Sequence, residues 1–210
     1  QKRAAERRSR RGWSGSCAPP AEPVTCSACK SCTAAGGHLD VVQWLHGQGV
    51  PLTAATNDGG QPIHYAAEGG QLDLVQWLVG QGVSLTAADS DGRQPIHFAA
   101  AGGHLDLVQW LVGQGVPLTA ATNDGGQPIH YAARCGHLDL VQWLVGQGVS
   151  LTAAHNDGVQ PIHAAARYGH LDLVQWLVRA ATSTSCSGCT GRACPSPPPP
   201  TTAGSPSTTP

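Results

Sequence analysis

The stretch that decides the fold is residues 61–83, which spell QPIHYAAEGGQLDLVQWLVGQGV. Nearly the same text returns every 33 residues, as the tryptophans in its second half show: Trp44, Trp77, Trp110, Trp143 and Trp176. A fixed period between about 20 and 50 residues is typical of a stacked array, in which one unit cannot bury its apolar face alone. Function must therefore be sought in what the units share and in where they differ.

Each full unit predicts two short helices and a turn. The first helix is expected to begin at Pro62 or its equivalent, because proline lacks an N–H that would have no partner at the first helical position. The second, from about Gln71 to Val79, is apolar except for one narrow polar stripe, so other parts of the protein must cover it on several sides. Asn57-Asp58-Gly59-Gly60 predicts the turn, or finger, between units. The full units begin near these residues and are called units 2 to 5: Asn57, Ser90, Asn123 and Asn156.

These features resemble the ankyrin repeat, over residues 33 to 178. In unit 2 the resemblance is carried by Asp58-Gly59-Gly60-Gln61-Pro62-Ile63-His64, Ala66-Ala67, Gly70, Leu74-Val75, Leu78-Val79 and Gly82-Val83. It implies an all-α helical solenoid with short β-hairpin or turn fingers between the helix pairs. One departure recurs, since the family usually has Thr before the proline and this chain has Gln61, Gln94, Gln127 and Gln160.

One histidine recurs in the first helix of every full unit: His64, His97, His130 and His163. By resemblance to the family, this histidine hydrogen-bonds to backbone and ties neighbouring units together. A catalytic or metal site needs converging groups, which repetition at a fixed spacing does not supply. The recurring histidine therefore favours a structural role.

The chain divides into three parts by composition. We expect residues 1–32, a basic flank containing Cys, Pro and Ser, to be disordered, and likewise the Ser/Thr/Pro/Cys-rich tail 179–210. Between them lies the array, 33–178, with a degenerate first unit, four further units and a truncated last one. Where unit 1 should show its QPIH motif, residues 28–31 read ACKS, so either this unit is a degenerate cap or the boundary is misplaced.

Charge is distributed unevenly. Residues 1–11 hold six bases and one acid, which fits either a nuclear-localisation run or a solvated basic tail, the alternative we favour. The array holds three arginines against eleven acids, so it does not resemble a nucleic-acid-binding surface. No apolar run reaches the about 18 residues that suggest a membrane span. We expect a cytoplasmic protein, with the nucleus as the alternative. The chain begins with Gln and contains no Met, so we expect a fragment or the product of an uncertain gene model.

The cysteines lie mostly outside the array, which argues against a disulfide-stabilised fold and favours a reducing compartment. Cys26, Cys29 and Cys32 have the spacing of the start of a ferredoxin-type cluster motif, but the fourth ligand is missing nearby. A zinc site with Cys17 is the other metal alternative. We favour neither and expect no cofactor.

Two further expectations concern apolar side chains. The five tryptophans predict packing between successive second helices, and an exposed aromatic stripe that binds a partner is the alternative. In the last unit, Leu173, Leu177 and Val178 are expected to be exposed, because no polar cap follows them. We therefore expect a monomer, or weak association of arrays end to end.

Partner-binding residues are predicted where the units differ. Positions 65, 68 and 69 share one face of the first helix, away from the constant Ile63 and Ala66-Ala67, and the finger position 60 also varies. By resemblance, these positions line the concave face and the fingers, and Tyr and Arg dominate interface hot spots. The predicted set, called the variable face below, is Gly60, Tyr65, Glu68, Arg93, Phe98, Tyr131, Arg134, Val159, Arg167 and Tyr168. The alternative is neutral drift after duplication.

Three functions follow as hypotheses. The leading one is a non-catalytic module that binds an as yet unidentified protein partner, because no P-loop, GxSxG, HExxH or kinase motif occurs. The second is the substrate-targeting part of a larger enzyme, a ubiquitin ligase or a kinase, whose catalytic domain lies elsewhere. The third is a metal-binding or redox protein built on the cysteine clusters.

Overall fold

A computed structural model describes residues 33–184 of the 210-residue chain. Within that range residues 33–35 are helical and nine longer helices follow. They are α1 (Leu39–Gly47), α2 (Pro62–Glu68), α3 (Leu72–Gly80), α4 (Pro95–Gly102), α5 (Leu105–Gly113), α6 (Pro128–Cys135), α7 (Leu138–Gly146), α8 (Pro161–Arg167) and α9 (Leu171–Thr184). Between residues 33 and 184 there is no strand, so the fold is an all-α solenoid whose fingers are turns.

First helices begin at proline, as predicted, and the even-numbered helices α2 to α8 fill this role. Before α4, Gln94 is extended, with φ −95° and ψ 165°, the conformation that a following proline favours. The helix ends at Gly103, whose φ of +75° lies in the left-handed region that commonly closes helices. Local chemistry at both ends therefore fixes the length of the first helix.

Stacking of the first helices forms the spine of the array. Helix α2 packs on α4, α4 on α6, and α6 on α8. Alanines such as Ala99 and Ala100 are fully buried on this line, and the distance between packed helices depends on the size of the side chains at the contact. Each second helix packs on the first helix of its own unit and buries its leucines, such as Leu107 and Leu111 in α5. The units thus share one continuous core.

The tryptophans behave as packing residues in four units. Trp77, Trp110, Trp143 and Trp176 are half-buried against the core, so they are packing residues there and do not form an exposed stripe. Trp77 meets the ring of His46 in the preceding unit edge-on, with the ring centroids 5.9 Å apart. Trp44 in unit 1 is instead 60% exposed.

The end of the array corrects one expectation. Leu173 and Leu177 are only 1% and 3% exposed, so the prediction that they are exposed was wrong, whereas Val178 is 48% exposed as expected. The equivalent residues of the inner units are buried as well, because these positions face the first helix of their own unit and need no following unit. Helix α9 also continues past Val178, the expected end of the array, to Thr184.

The recurring histidine hydrogen-bonds to backbone, as the family resemblance implied, but its hydrogen-bond partners lie in its own unit, and it meets the next unit through ring contacts with Phe98 and Tyr131. Nδ1 of His97 accepts the N–H of Gln94 at 3.0 Å, so the proton lies on Nε2, which donates to the carbonyl of Ala120 at 2.9 Å. His64 and His130 make the equivalent bonds. Burial lowers the pKa of all three histidines and favours this neutral form. At the end of the array, His163 is exposed.

A second set of hydrogen bonds, which does join neighbouring units, was not predicted. It joins the residue before a second helix to the last turn of the preceding first helix. The bonds run from Nε2 of His104, His137 and His170 to the carbonyls of Glu68, Ala101 and Arg134, each at 2.8 Å. In unit 2 a glutamine, Gln71, takes this position, and its Nε2 lies 3.5 Å from the carbonyl of Ala35.

Candidate functional site

The aromatic members of the variable face are anchored by the stack itself. Tyr65, Phe98 and Tyr131 occupy the same position of successive first helices and are half-buried. The ring of Phe98 lies 5.2 Å from His64, and that of Tyr131 lies 5.4 Å from His97. Phe98 and Tyr131 therefore rest on the buried histidine of the preceding unit and keep only part of their surface for a ligand.

Gly60 contributes space rather than a side chain. It is buried, and a Cβ at this position would lie 2.6 Å from the hydroxyl of Tyr65. That hydroxyl is 3.2 Å from Oγ1 of Thr56, and Oγ1 in turn accepts the N–H of Gly60. The missing side chain thus lets Tyr65 reach the finger of its own unit.

Arg93 is largely committed to its own finger. Its Nε lies 2.7 Å from the carboxylate of Asp89, which is almost fully buried, and its Nη2 lies 3.1 Å from Asp91. The guanidinium also lies over the ring of Phe98, 5.2 Å from the centroid. Although burial opposes it, pairing with these two carboxylates raises the pKa of Arg93. Its charge is neutralised before any partner arrives.

Arg134 and Arg167 have a different environment. Both are exposed at the ends of α6 and α8. Arg134 lies over the ring of Tyr131, 5.2 Å from its centroid, an arrangement that positions the guanidinium without neutralising it. Within residues 33–184, neither arginine pairs with a carboxylate. These two positive charges are available to a ligand.

A cleft of about 460 Å³ lies between units 4 and 5 and collects half of the variable face. Its predicted members are Tyr131, Arg134, Val159, Arg167 and Tyr168. A second cleft, of about 360 Å³ between units 3 and 4, is lined by Arg93 together with Tyr131 and Arg134. The remaining predicted residues, Gly60, Tyr65, Glu68 and Phe98, line neither cleft.

Sequence analysis missed the polar residues that complete the larger cleft. They are Asp124, His130, His155, Asp157 and His163, joined by Ala164. His155 stands where the other full units have Thr56, Asp89 and Thr122, so comparison at this finger position could have revealed it.

Two contacts order the finger side of the larger cleft. Asp124 accepts a hydrogen bond from the hydroxyl of Thr122, which lowers the pKa of Asp124. Nδ1 of His155 lies 3.6 Å from Oδ2 of the same aspartate, and its ring meets that of His130 edge-on at 4.3 Å. Carboxylates therefore stand on the finger side of the cleft and arginines on the helix side.

The arrangement suits binding through charge and aromatic surface. Among residues 33–184, no group of three or more His, Cys, Asp or Glu is placed to hold a metal ion. The motif at Cys26, Cys29 and Cys32 and the alternative zinc ligand Cys17 lie outside the described residues, as do the basic run 1–11 and most of both flanks. No helix in the described part of the chain is long and apolar enough to cross a membrane.

Comparison with known families agrees with the repeated helix pairs of the fold. A family model described as ankyrin repeats (3 copies) matches residues 28–122 and again residues 103–187. A search of curated proteins found no match. Since the matched residues cover most of the chain and the helix pairs stack as this family requires, the chain belongs to the ankyrin repeat family.

Proposed function

We propose that this chain is a non-catalytic module that binds a protein partner through the variable face, the concave side and fingers of the stack. Ankyrin repeats are generally protein–protein interaction modules and typically carry no catalysis. The observation that carries the proposal is where the units differ. Residues 52–88 and 118–154 are identical except at three positions. One of these, Glu68/Arg134, belongs to the variable face, and a second, Gly69/Cys135, directly adjoins it.

The third difference, Gln71/His137, lies at the hydrogen bonds that join neighbouring units and has a structural role. Duplicated units keep every core residue in these blocks and change the residues that a ligand would touch. The position of the two clefts supports this assignment, because both are lined by first helices and fingers. Tyrosine and arginine, which are enriched at binding hot spots, form much of the larger cleft.

The chemistry of the face favours a protein over a nucleic acid. A nucleic-acid surface needs clustered bases without nearby acids. Here one arginine, Arg93, is neutralised within its own finger, and Asp124 and Asp157 stand in the same cleft as Arg134 and Arg167. We further propose an intracellular, cytoplasmic setting, in keeping with the free, exposed thiol of Cys135 on this face.

Point variants with a matched control on the opposite helices test the proposal. Tyr131→Ala, Arg134→Ala and Tyr168→Ala should each weaken binding of a captured partner by about 1–2 kcal/mol or more. Gln76→Ala and Gln109→Ala change exposed residues of α3 and α5 outside the clefts and should leave affinity unchanged. Affinity is measured by titration calorimetry beside a melting curve for every variant. Equal losses on both faces, or losses that follow the melting temperature, would contradict the assignment.

A further inference from the structure

The charge of the variable face changes sign along the array. At one position of the successive first helices stand Glu68, Ala101, Arg134 and Arg167. We propose that the cleft between units 4 and 5 binds an aspartate or glutamate side chain of the protein partner, with its carboxylate between Arg134 and Arg167. This inference rests on the proposed function and specifies the chemistry of the partner.

The two arginines are suited to this role because their charges are not used by the fold. Arg93, by contrast, has a structural role, because its guanidinium pairs with Asp89 and Asp91 and lies over the ring of Phe98. Arg134 and Arg167 are exposed, and neither has a carboxylate partner within residues 33–184. Guanidinium groups make their strongest hydrogen bonds to carboxylates and phosphates.

Aromatic surface beside these charges strengthens the site. Tyr131 supports Arg134 from below and lines the same cleft as Tyr168, which is 55% exposed. The partner residues around the acidic side chain would cover the rings and displace water around the guanidinium groups. Charge–charge attraction grows as water is excluded, so a seated carboxylate gains more here than on an open surface.

The acids in the cleft favour a carboxylate over a phosphate. Asp124 and Asp157 line the same space, so the cleft holds two fixed negative charges as well as two arginines. A carboxylate adds one negative charge, whereas a phosphorylated side chain adds about 1.5–2 and is repelled more strongly by those aspartates. A partner with a single acidic side chain at this point therefore fits best.

The internal duplication supplies a well-matched variant. Glu68 occupies in unit 2 the position of Arg134 in unit 4, within 37-residue blocks that differ at only three places. Arg134→Glu therefore installs a residue that an almost identical unit already carries, and it should fold. Arg167→Ala likewise installs the residue found in unit 3 at Ala101. The Arg134→Glu/Arg167→Ala double variant removes both guanidinium groups that are proposed to bind the carboxylate. A melting curve would verify that its fold is intact.

The experiment uses the full chain and a displayed library of random peptides of about 12 residues, which span the clefts when extended. Peptides selected on the wild-type chain should share an Asp or Glu at one fixed position, and the double variant should not retain them. For a synthetic selected peptide, changing that Glu to Gln should weaken binding about tenfold or more. The Glu peptide should bind the double variant no more tightly than its Gln counterpart, since both arginines are gone and the introduced glutamate repels the peptide carboxylate.

Three results would overturn the inference in distinguishable ways. One such result is a set of selected peptides that share no acidic residue and that lose affinity for the Tyr131→Ala variant but not for the arginine double variant. This result would reject carboxylate binding by the arginines and leave the proposed function standing. Tighter binding of a phosphoserine peptide than of its Glu counterpart would reject the choice of carboxylate. Selected peptides that bind Tyr131→Ala and Tyr168→Ala as well as wild type would reject both carboxylate binding by the arginines and the proposed function.

Discussion

Replacing Gln61 and Gln94 with threonine should stabilise this protein, because each glutamine leaves a polar atom without a partner. Both residues precede a first helix in an extended conformation, and each side chain faces the N–H of the third helical residue in a capping-box arrangement without completing a capping hydrogen bond. The side-chain oxygen Oε1 of each is buried without a hydrogen-bond partner. The backbone half of the cap is intact, since the N–H of Gln61 reaches Nδ1 of His64 at 2.8 Å. A threonine would remove the buried amide oxygen and place a hydroxyl where it can accept a backbone N–H.

The expected magnitude follows from two effects. A buried polar atom without a partner costs about 1–3 kcal/mol. A threonine cap contributes about 0.5–2 kcal/mol relative to a residue that cannot cap. Taking only about 1 kcal/mol at each of the two sites, the double variant should gain about 2 kcal/mol. For a protein of this size, that gain raises the melting temperature by about 4–8 °C.

Thermal unfolding followed by circular dichroism measures this gain, and an alanine pair separates its two causes. Gln61→Ala/Gln94→Ala removes the amide oxygens without adding a hydroxyl, so it should recover only part of the stabilisation. An alanine pair that matches the threonine pair would show that capping contributes nothing. An unchanged or lower melting temperature for the threonine pair would refute the reasoning, since the glutamine oxygens would then have partners in solution.

Three further outcomes are expected. The free energy of unfolding should fall as pH drops below 6.5, the ordinary histidine pKa, because burial lowers the pKa of His64, His97 and His130 and the unfolded chain then binds more protons. Urea titrations at pH 7.5 and 5.5 that agree would contradict this. Amide hydrogens should exchange faster in residues 160–178 than in 95–145, because within residues 33–184 no further first helix packs on α8. Uniform protection would contradict this. Gln71→His should stabilise unit 2 by about 0.5–1 kcal/mol in urea unfolding, because the equivalent His137 lies 2.8 Å from the Ala101 carbonyl whereas Gln71 lies 3.5 Å from the Ala35 carbonyl. A loss of stability would contradict this.

The fold was predictable because local sequence signals mark the helix ends and the repeat period indicates how the helices stack. Proline begins every first helix, glycine closes the helices, and a 33-residue period requires stacking. The burial of Leu173 and Leu177 was not predicted, because exposure at an array end depends on which side of a helix faces its own unit. That information is tertiary, although the buried equivalents in every inner unit show it once the structure is known.

The candidate site was predictable only in part. Variation between units led to Tyr131, Arg134 and Tyr168, which the structure places around one cleft. It could not show that Gly60 is buried, because that follows from where the Tyr65 hydroxyl lies. The comparison of units also did not reveal that Arg93 pairs with Asp89 and Asp91, because such a comparison shows which residues differ and not how close they lie.

The two duplicated blocks show which residues the stability of the array does not require. Blocks 52–88 and 118–154 build the same helices from the same core residues, so the core does not require either Glu68 or Arg134. Both side chains are exposed, and exchanging exposed residues away from special features usually changes stability by no more than about 0.5 kcal/mol. A change of charge at this position can, by contrast, alter binding several-fold, because opposite charges attract different partners. The sign reversal from Glu68 to Arg134 and Arg167 is therefore not required by the fold, and the proposed function accounts for it as a change in what the face binds.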